Sequence, residues 1–114
     1  MLILLASLAL AVSSSHASPP GQEATILGYA QDGPVDYRID GQRGIWVRAQ
    51  NGDWYYLHIQ GPCPRLGPQS AFSIETGPQG QLDRYGVIHV EGDRCLLSSV
   101  TTSAPPPGYG RHRH

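Results

Sequence analysis

Apolar and polar positions alternate from Ala24 to Thr102, and no window of ten residues there carries the i, i+3, i+4 apolar spacing of a packed helix. The period of two predicts short strands, and the turn residues between the runs predict antiparallel pairing. The clearest unit is Gly44 to Gln60, GIWVRAQNGDWYYLHIQ, with Asn51-Gly52 at its middle. A two-residue turn there sets Val47 opposite Tyr56 and Trp46 opposite Leu57, which leaves both faces half apolar. A three-residue loop, Gln50-Asn51-Gly52, with Gly52 left-handed in a G1 bulge, changes the parity. Ile45, Val47, Ala49, Tyr55, Leu57 and Ile59 then share one face, and Trp46, Arg48, Trp54, Tyr56 and His58 share the other. Burial of the first set selects this register, because a slip of one residue would exchange the faces.

A second hairpin is predicted over Tyr85 to Val100, YGVIHVEGDRCLLSSV. Gly92-Asp93 suits a two-residue II′ turn, which sets Glu91 opposite Arg94 and Val90 opposite Cys95. Ile88, Val90, Cys95 and Leu97 then point inward, and His89, Glu91, Arg94 and Leu96 outward. Shorter strands are expected at Ala71 to Thr76, at Asp36 to Asp40 and at Ala24 to Tyr29. Five or six such strands predict an all-β domain, a small antiparallel sheet curled into a barrel or sandwich.

Before this body lies an apolar run, Leu2 to Val12, followed by Ser15-His16-Ala17. It is shorter than the ~20 residues that span a bilayer, and the small residues fit signal-peptide cleavage after Ala17. The expected organisation is a signal-peptide helix over 1–17, a disordered leader over 18–23, the all-β domain over 24–102 and a disordered tail over 103–114. No cysteine follows the cleavage point, which argues against a lipid anchor. Export changes the reading of Cys63 and Cys95, since in an oxidising compartment two cysteines of a small domain are most simply one disulfide. Closing a loop of about 30 residues is worth roughly 3–4 kcal/mol.

With 114 residues there is room for one small domain. Eight basic residues, all arginine, against nine acidic ones give a formal charge of −1, so no electrostatic footprint for nucleic acid or an anionic membrane is present. His58 and His89 are the only histidines of the body, and a His pair with Arg48 or Arg84 could serve a small hydrolase as base and acid. No G-x-S-x-G, H-E-x-x-H or phosphate-loop spacing accompanies them. Asp36, Asp40 and Asp53 lack the spacing of a calcium loop and read as turn residues. The Arg111-His112-Arg113-His114 run reads as a solvated terminus; no metal or cofactor is expected. The sharper candidate is the outer face of the first hairpin: Trp46, Arg48, Trp54, Tyr56 and His58. Aromatics on a rigid sheet give contact area at low entropic cost and recur in interfaces. The expected function is a non-catalytic binding or structural module of the cell envelope, periplasmic or secreted, engaging an envelope component or protein. The rivals are an inhibitor inserting the Pro-rich loop Gly61 to Gln69 into a hydrolase and the His-dependent hydrolase itself.

Arg38-Ile39-Asp40-Gly41, Trp54-Tyr55-Tyr56-Leu57, Gly61-Pro62-Cys63-Pro64-Arg65-Leu66, Leu82-Asp83-Arg84-Tyr85 and Gly92-Asp93-Arg94-Cys95-Leu96-Leu97 together resemble a family of small exported proteobacterial proteins known only as a domain of unknown function. The resemblance covers about Asp36 to Val100, and its most specific part is the segment from Tyr56 to Leu66. It implies an envelope or secreted location and carries no activity to transfer. Family members often have a further cysteine in the N-terminal strand region, which is missing here and leaves Cys63 and Cys95 to each other.

Overall fold

The computed structural model describes residues 19–110. The expected signal-peptide helix and the Arg-His run at 111–114 lie outside the described residues. After a one-turn helix α1 (Tyr29–Asp32) come β1 (Asp36–Asp40), β2 (Gly44–Arg48), β3 (Trp54–Ile59), β4 (Ser73–Glu75), β5 (Val87–Val90) and β6 (Asp93–Ser103). They form one antiparallel sheet in the order β1-β2-β3-β6-β5-β4, curled into a half-barrel. The two edges approach through side chains, since Tyr37 of β1 meets Phe72, next to β4, edge-on at 5.1 Å.

The first hairpin has the register chosen by burial: Ile45 faces Leu57, Trp46 faces Tyr56 and Arg48 faces Trp54. Gly52 takes φ 93°, and its amide donates to Ala49 O at 2.9 Å, closing the three-residue loop. Ile45, Val47, Ala49, Leu57 and Ile59 are buried, with Tyr55 packed against them half-exposed. In the second hairpin the turn lies one residue earlier than expected. Val90 faces Asp93, so the turn is Glu91-Gly92, with φ 49° and 87°, the signs of a type I′ turn. The inward set survives, because the pairing moves by an even step: Ile88, Val90, Cys95 and Leu97 are all buried.

Leu97 and Val100 are both buried although they differ in parity. The register between β3 and β6 shifts between His58 and Ile59, which pair with Ser99 and Leu97 and leave Ser98 as the extra residue of a bulge. That bulge keeps the long last strand facing the core along its whole length. Cys63 and Cys95 form the disulfide, and both are buried, Cys63 completely. It fastens the 61–69 connection, whose Leu66 is 2% exposed, to the core side of β6.

Three sequence expectations need correction. The segment 19–23 is ordered, because β5 pairs only with the first part of β6 and leaves backbone groups of the second part without partners. The leader fills that edge: Gly21 N donates to Thr102 O at 2.7 Å, Thr102 N to Gln22 O at 2.8 Å and Ala24 N to Val100 O at 2.8 Å. Ala24 to Tyr29 is not a strand but bridges once, Ile26 to Leu82, before turning into α1. The tail is ordered through Gly110, with Ser103 in β6 and Pro106 buried. Its fold is written locally. Tyr109 N donates to Pro106 O at 3.0 Å across Pro107-Gly108, and Gly108 has φ 77°, the type II pattern that Pro-Gly specifies.

Candidate binding face

Cross-strand pairing sorts the outer side of β1, β2, β3 and β6 into three rows. Asp40, Gly44, His58 and Ser99 make the first, Arg38, Trp46, Tyr56 and Thr101 the second, and Asp36, Arg48, Trp54 and Ser103 the third. The predicted face therefore exists as a set. Its members differ in access.

In the second row the Trp46 and Tyr56 rings meet edge-on at 5.2 Å, and Tyr56 meets the His58 ring at 4.6 Å. All three are half-buried. Tyr56 leans into the slot left by Gly44, where an added Cβ would collide with its ring. At the end of the slot its hydroxyl donates to Asp40 Oδ2 at 2.6 Å, while Arg43 Nη2 holds Asp40 Oδ1 at 2.9 Å. Burial works against ionisation of Asp40, but the Tyr56 and Arg43 hydrogen bonds and the Arg43 charge outweigh it and hold the carboxyl below its ordinary value. Tyr56 is pushed well above the usual phenol range, first by burial and then by its bond to the Asp40 carboxylate. His58 Nε2 hydrogen-bonds Thr101 Oγ1 at 3.0 Å, and burial lowers its pKa against the opposing pull of Glu23.

Trp54 is the correction to the predicted face. It is only 7% exposed, because the ring of Tyr109 from the segment after β6 packs edge-on against it at 4.8 Å. Arg48 is half-buried and committed locally, its Nε donating to Gly52 O at 3.1 Å. The two body histidines are not brought together. His58 faces Ser99 and His89 faces Arg94 of β6, five positions that span about 16 Å at a strand rise of ~3.3 Å per residue. His89 bonds Glu75 at 2.9 Å instead. Of the three aspartates, Asp40 serves Tyr56 and Arg43, Asp36 accepts from Tyr109 Oη at 2.8 Å, and Asp53 sits in the turn with Asn51. Among the described residues no group of three His, Cys, Asp or Glu is placed to hold a metal ion.

Sequence reasoning missed Asp40, Arg43 and Tyr109 as parts of this face. A glycine opposite His58 inside an aromatic-rich hairpin was a signal for the first, since an interior strand glycine marks a close approach. Clefts open elsewhere, one of about 310 Å³ along Leu27, Gly28 and Gln50 and one of about 450 Å³ beside Arg84, Tyr85 and Leu96. Trp46, Tyr56 and His58 line neither of these two clefts.

The Asp40 cluster predicts a pH response. A carboxyl whose folded pKa is depressed contributes stability fully above its unfolded value and loses it as pH falls through the folded one. With the ordinary value at 3.8, the contribution is present at neutral pH and disappears only below that point. In Tyr56→Phe the Asp40 carboxyl should titrate closer to 3.8, read by carboxyl-carbon NMR; an unchanged titration would show that Tyr56 does not hold it.

Comparison of the chain with protein-family models, curated proteins and solved structures finds no match. The buried disulfide fits a protein outside the reducing cytoplasm. Among the described residues no helix is long and apolar enough to cross a membrane.

Proposed function

We propose that this is an exported, non-catalytic binding module of the cell envelope, periplasmic or secreted, that engages an envelope component or a protein partner through Trp46, Tyr56 and His58. The observation that carries the reading is the Trp46–Tyr56–His58 ring series, half-exposed on the outer side of a disulfide-fastened sheet and locked at its middle ring by Asp40. Rings held in one geometry lose little entropy on contact, which is what an interface anchor requires. Export is supported by the apolar run with Ala17 behind it, by the resemblance of about Asp36 to Val100 to small exported proteins, and by the disulfide.

Trp46→Ala is the test, because Trp46 lies outside the buried core cluster and its loss should leave the fold intact. Oxidised protein immobilised against envelope extract is expected to retain a component that the variant releases, with a loss of about 2 kcal/mol or more, or at least thirtyfold in affinity. The same retention by Trp46→Ala, with unchanged circular dichroism, overturns the reading.

One observation favours the inhibitor as a second reading. Pro62, Pro64 and Arg65 are exposed on a connection pinned by Cys63, while Gln42 Nε2 donates to Pro64 O at 3.4 Å and Ser70 Oγ to Arg65 O at 3.1 Å. A pre-ordered loop of this kind suits insertion into a cleft. Partner retention that survives Trp46→Ala but is lost on replacing Pro64 and Arg65 by glycine and alanine would favour it.

A further inference from the structure

The segment after β6 crosses the outer face and ends on the third row. Ser103 pairs with Trp54, two residues follow, and the Pro106-Pro107-Gly108-Tyr109 turn then folds back over the same strands. Three side chains of the sheet read this turn. Arg38 Nη1 donates to Pro107 O at 2.7 Å, Asp36 Oδ2 accepts from Tyr109 Oη at 2.8 Å, and Trp54 takes the Tyr109 ring. Pro106 is buried under the crossing. A cation for a carbonyl, a carboxylate for a phenol and an indole for its ring make a set of recognition contacts that do not depend on the turn belonging to the same chain.

We infer that Arg38, Asp36 and Trp54 form a docking site for a proline-glycine-tyrosine turn, filled in cis by residues 104–110, and that the partner it takes in trans is a polypeptide carrying such a turn. The inference rests on the reading of the outer face as a binding surface and extends it to Arg38 of the second row and to Asp36 and Trp54 of the third. The Pro-Gly dipeptide presets the turn, so the cis copy loses little entropy on docking. Its tether of two residues gives it an effective concentration that a free peptide reaches only at millimolar levels. The site is therefore shut until a partner competes or the turn is weakened. A second copy supplying its own segment is disfavoured by that short tether, which holds the turn against the strand it leaves.

The test uses the full chain and reads the Trp54 indole N–H resonance. Tyr109→Ala should shift that resonance, and a synthetic peptide of residues 103–110 should move it back toward its original position. The wild type should need about tenfold more peptide for any response, because its site is occupied. A peptide with alanine for tyrosine should do nothing. Gly108→Val is the second variant, since a β-branched residue is strained at φ 77° and should release the turn with Tyr109 still present. No Trp54 shift in either variant, or no response of Tyr109→Ala to the peptide, overturns the inference. A concentration-dependent dimer of the wild type with the Trp54 shift would place a second copy's segment there and also overturn it. The outcome is separable from that of Trp46→Ala: peptide docking without partner retention sinks the proposed function alone, and retention without peptide docking sinks only this inference.

Discussion

The double variant Cys63→Ala/Cys95→Ala should lose about 3–4 kcal/mol of unfolding free energy, a large share of the stability margin of a small domain. The bond joins residues 32 positions apart, and in the chain-entropy account a loop of that length is a large constraint on the unfolded state. Little else would hold the connection in its place. Its remaining anchors include Leu66, the 3.4 Å bond from Gln42 to Pro64, the 3.1 Å bond from Ser70 to Arg65 O and the ion pairs of Arg65 with Asp93 at 3.3 Å and Glu91 at 4.0 Å. Both ion pairs join exposed side chains, and such pairs contribute on the order of 0–1 kcal/mol. Two buried sulfurs are also removed, and the space they leave adds a packing loss to the entropic one. Urea unfolding of the oxidised protein and the double variant, with amide exchange across 61–69, measures this. A difference below about 1 kcal/mol would mean that the connection is held by its own contacts and that the bond constrains little. A domain that depends on this link is fitted to a compartment where thiols oxidise, so the energetic result bears on where the protein works.

The two hairpins show how far alternation alone can be read. In Gly44 to Gln60 the two competing registers put different residues in the core, so burial decides between them and the sequence suffices. In the second hairpin the competing turns, Gly92-Asp93 and Glu91-Gly92, give the same inward set, and burial is silent. Long-range pairing decides instead. β6 must meet β3 with a bulge at Ser98 and present Cys95 to Cys63, and neither demand is visible in a local window. The leader and the segment after β6 look disordered by composition because what orders them is largely polar and long-range, with Pro106 and the Tyr109 ring on Trp54 as the apolar part. Gly21, Gln22 and Ala24 answer an open strand edge, and Pro107 and Tyr109 answer Arg38 and Asp36. For the same reason the aromatic face was legible as a set while its covering was not. Parity places Trp54 with Trp46 and Tyr56, but only the return of the chain over the sheet shows that Trp54 is taken and the other two are not.

Gly44→Ala should destabilise the fold by about 1–3 kcal/mol and dismantle the Trp46–Tyr56–His58 strip at the same time. Gly44 is buried at the start of β2, between Asp40 of β1 and His58 of β3. A methyl group there meets the end of the Tyr56 ring and lies 2.5 Å from Leu57 O. The ring can swing away, at the cost of its bond to Asp40 and its contact with Trp46. The carbonyl cannot, because Leu57 is a fully buried core residue whose backbone runs in the β2–β3 ladder. The cost therefore has two parts, and a double-mutant cycle separates them. With Tyr56→Ala already in place, Gly44→Ala should lose the ring part and keep the backbone part, so its effect should shrink but not vanish. Unfolding measurements on the four proteins give the coupling, while NMR of the Asp40 carboxyl and the Trp46 indole shows whether Tyr56 has left its slot. Equal cost in both backgrounds, with the Asp40 carboxyl unmoved by Gly44→Ala, would mean that the slot does not position Tyr56, and the strip would then lack the rigidity that the proposed interface anchor requires.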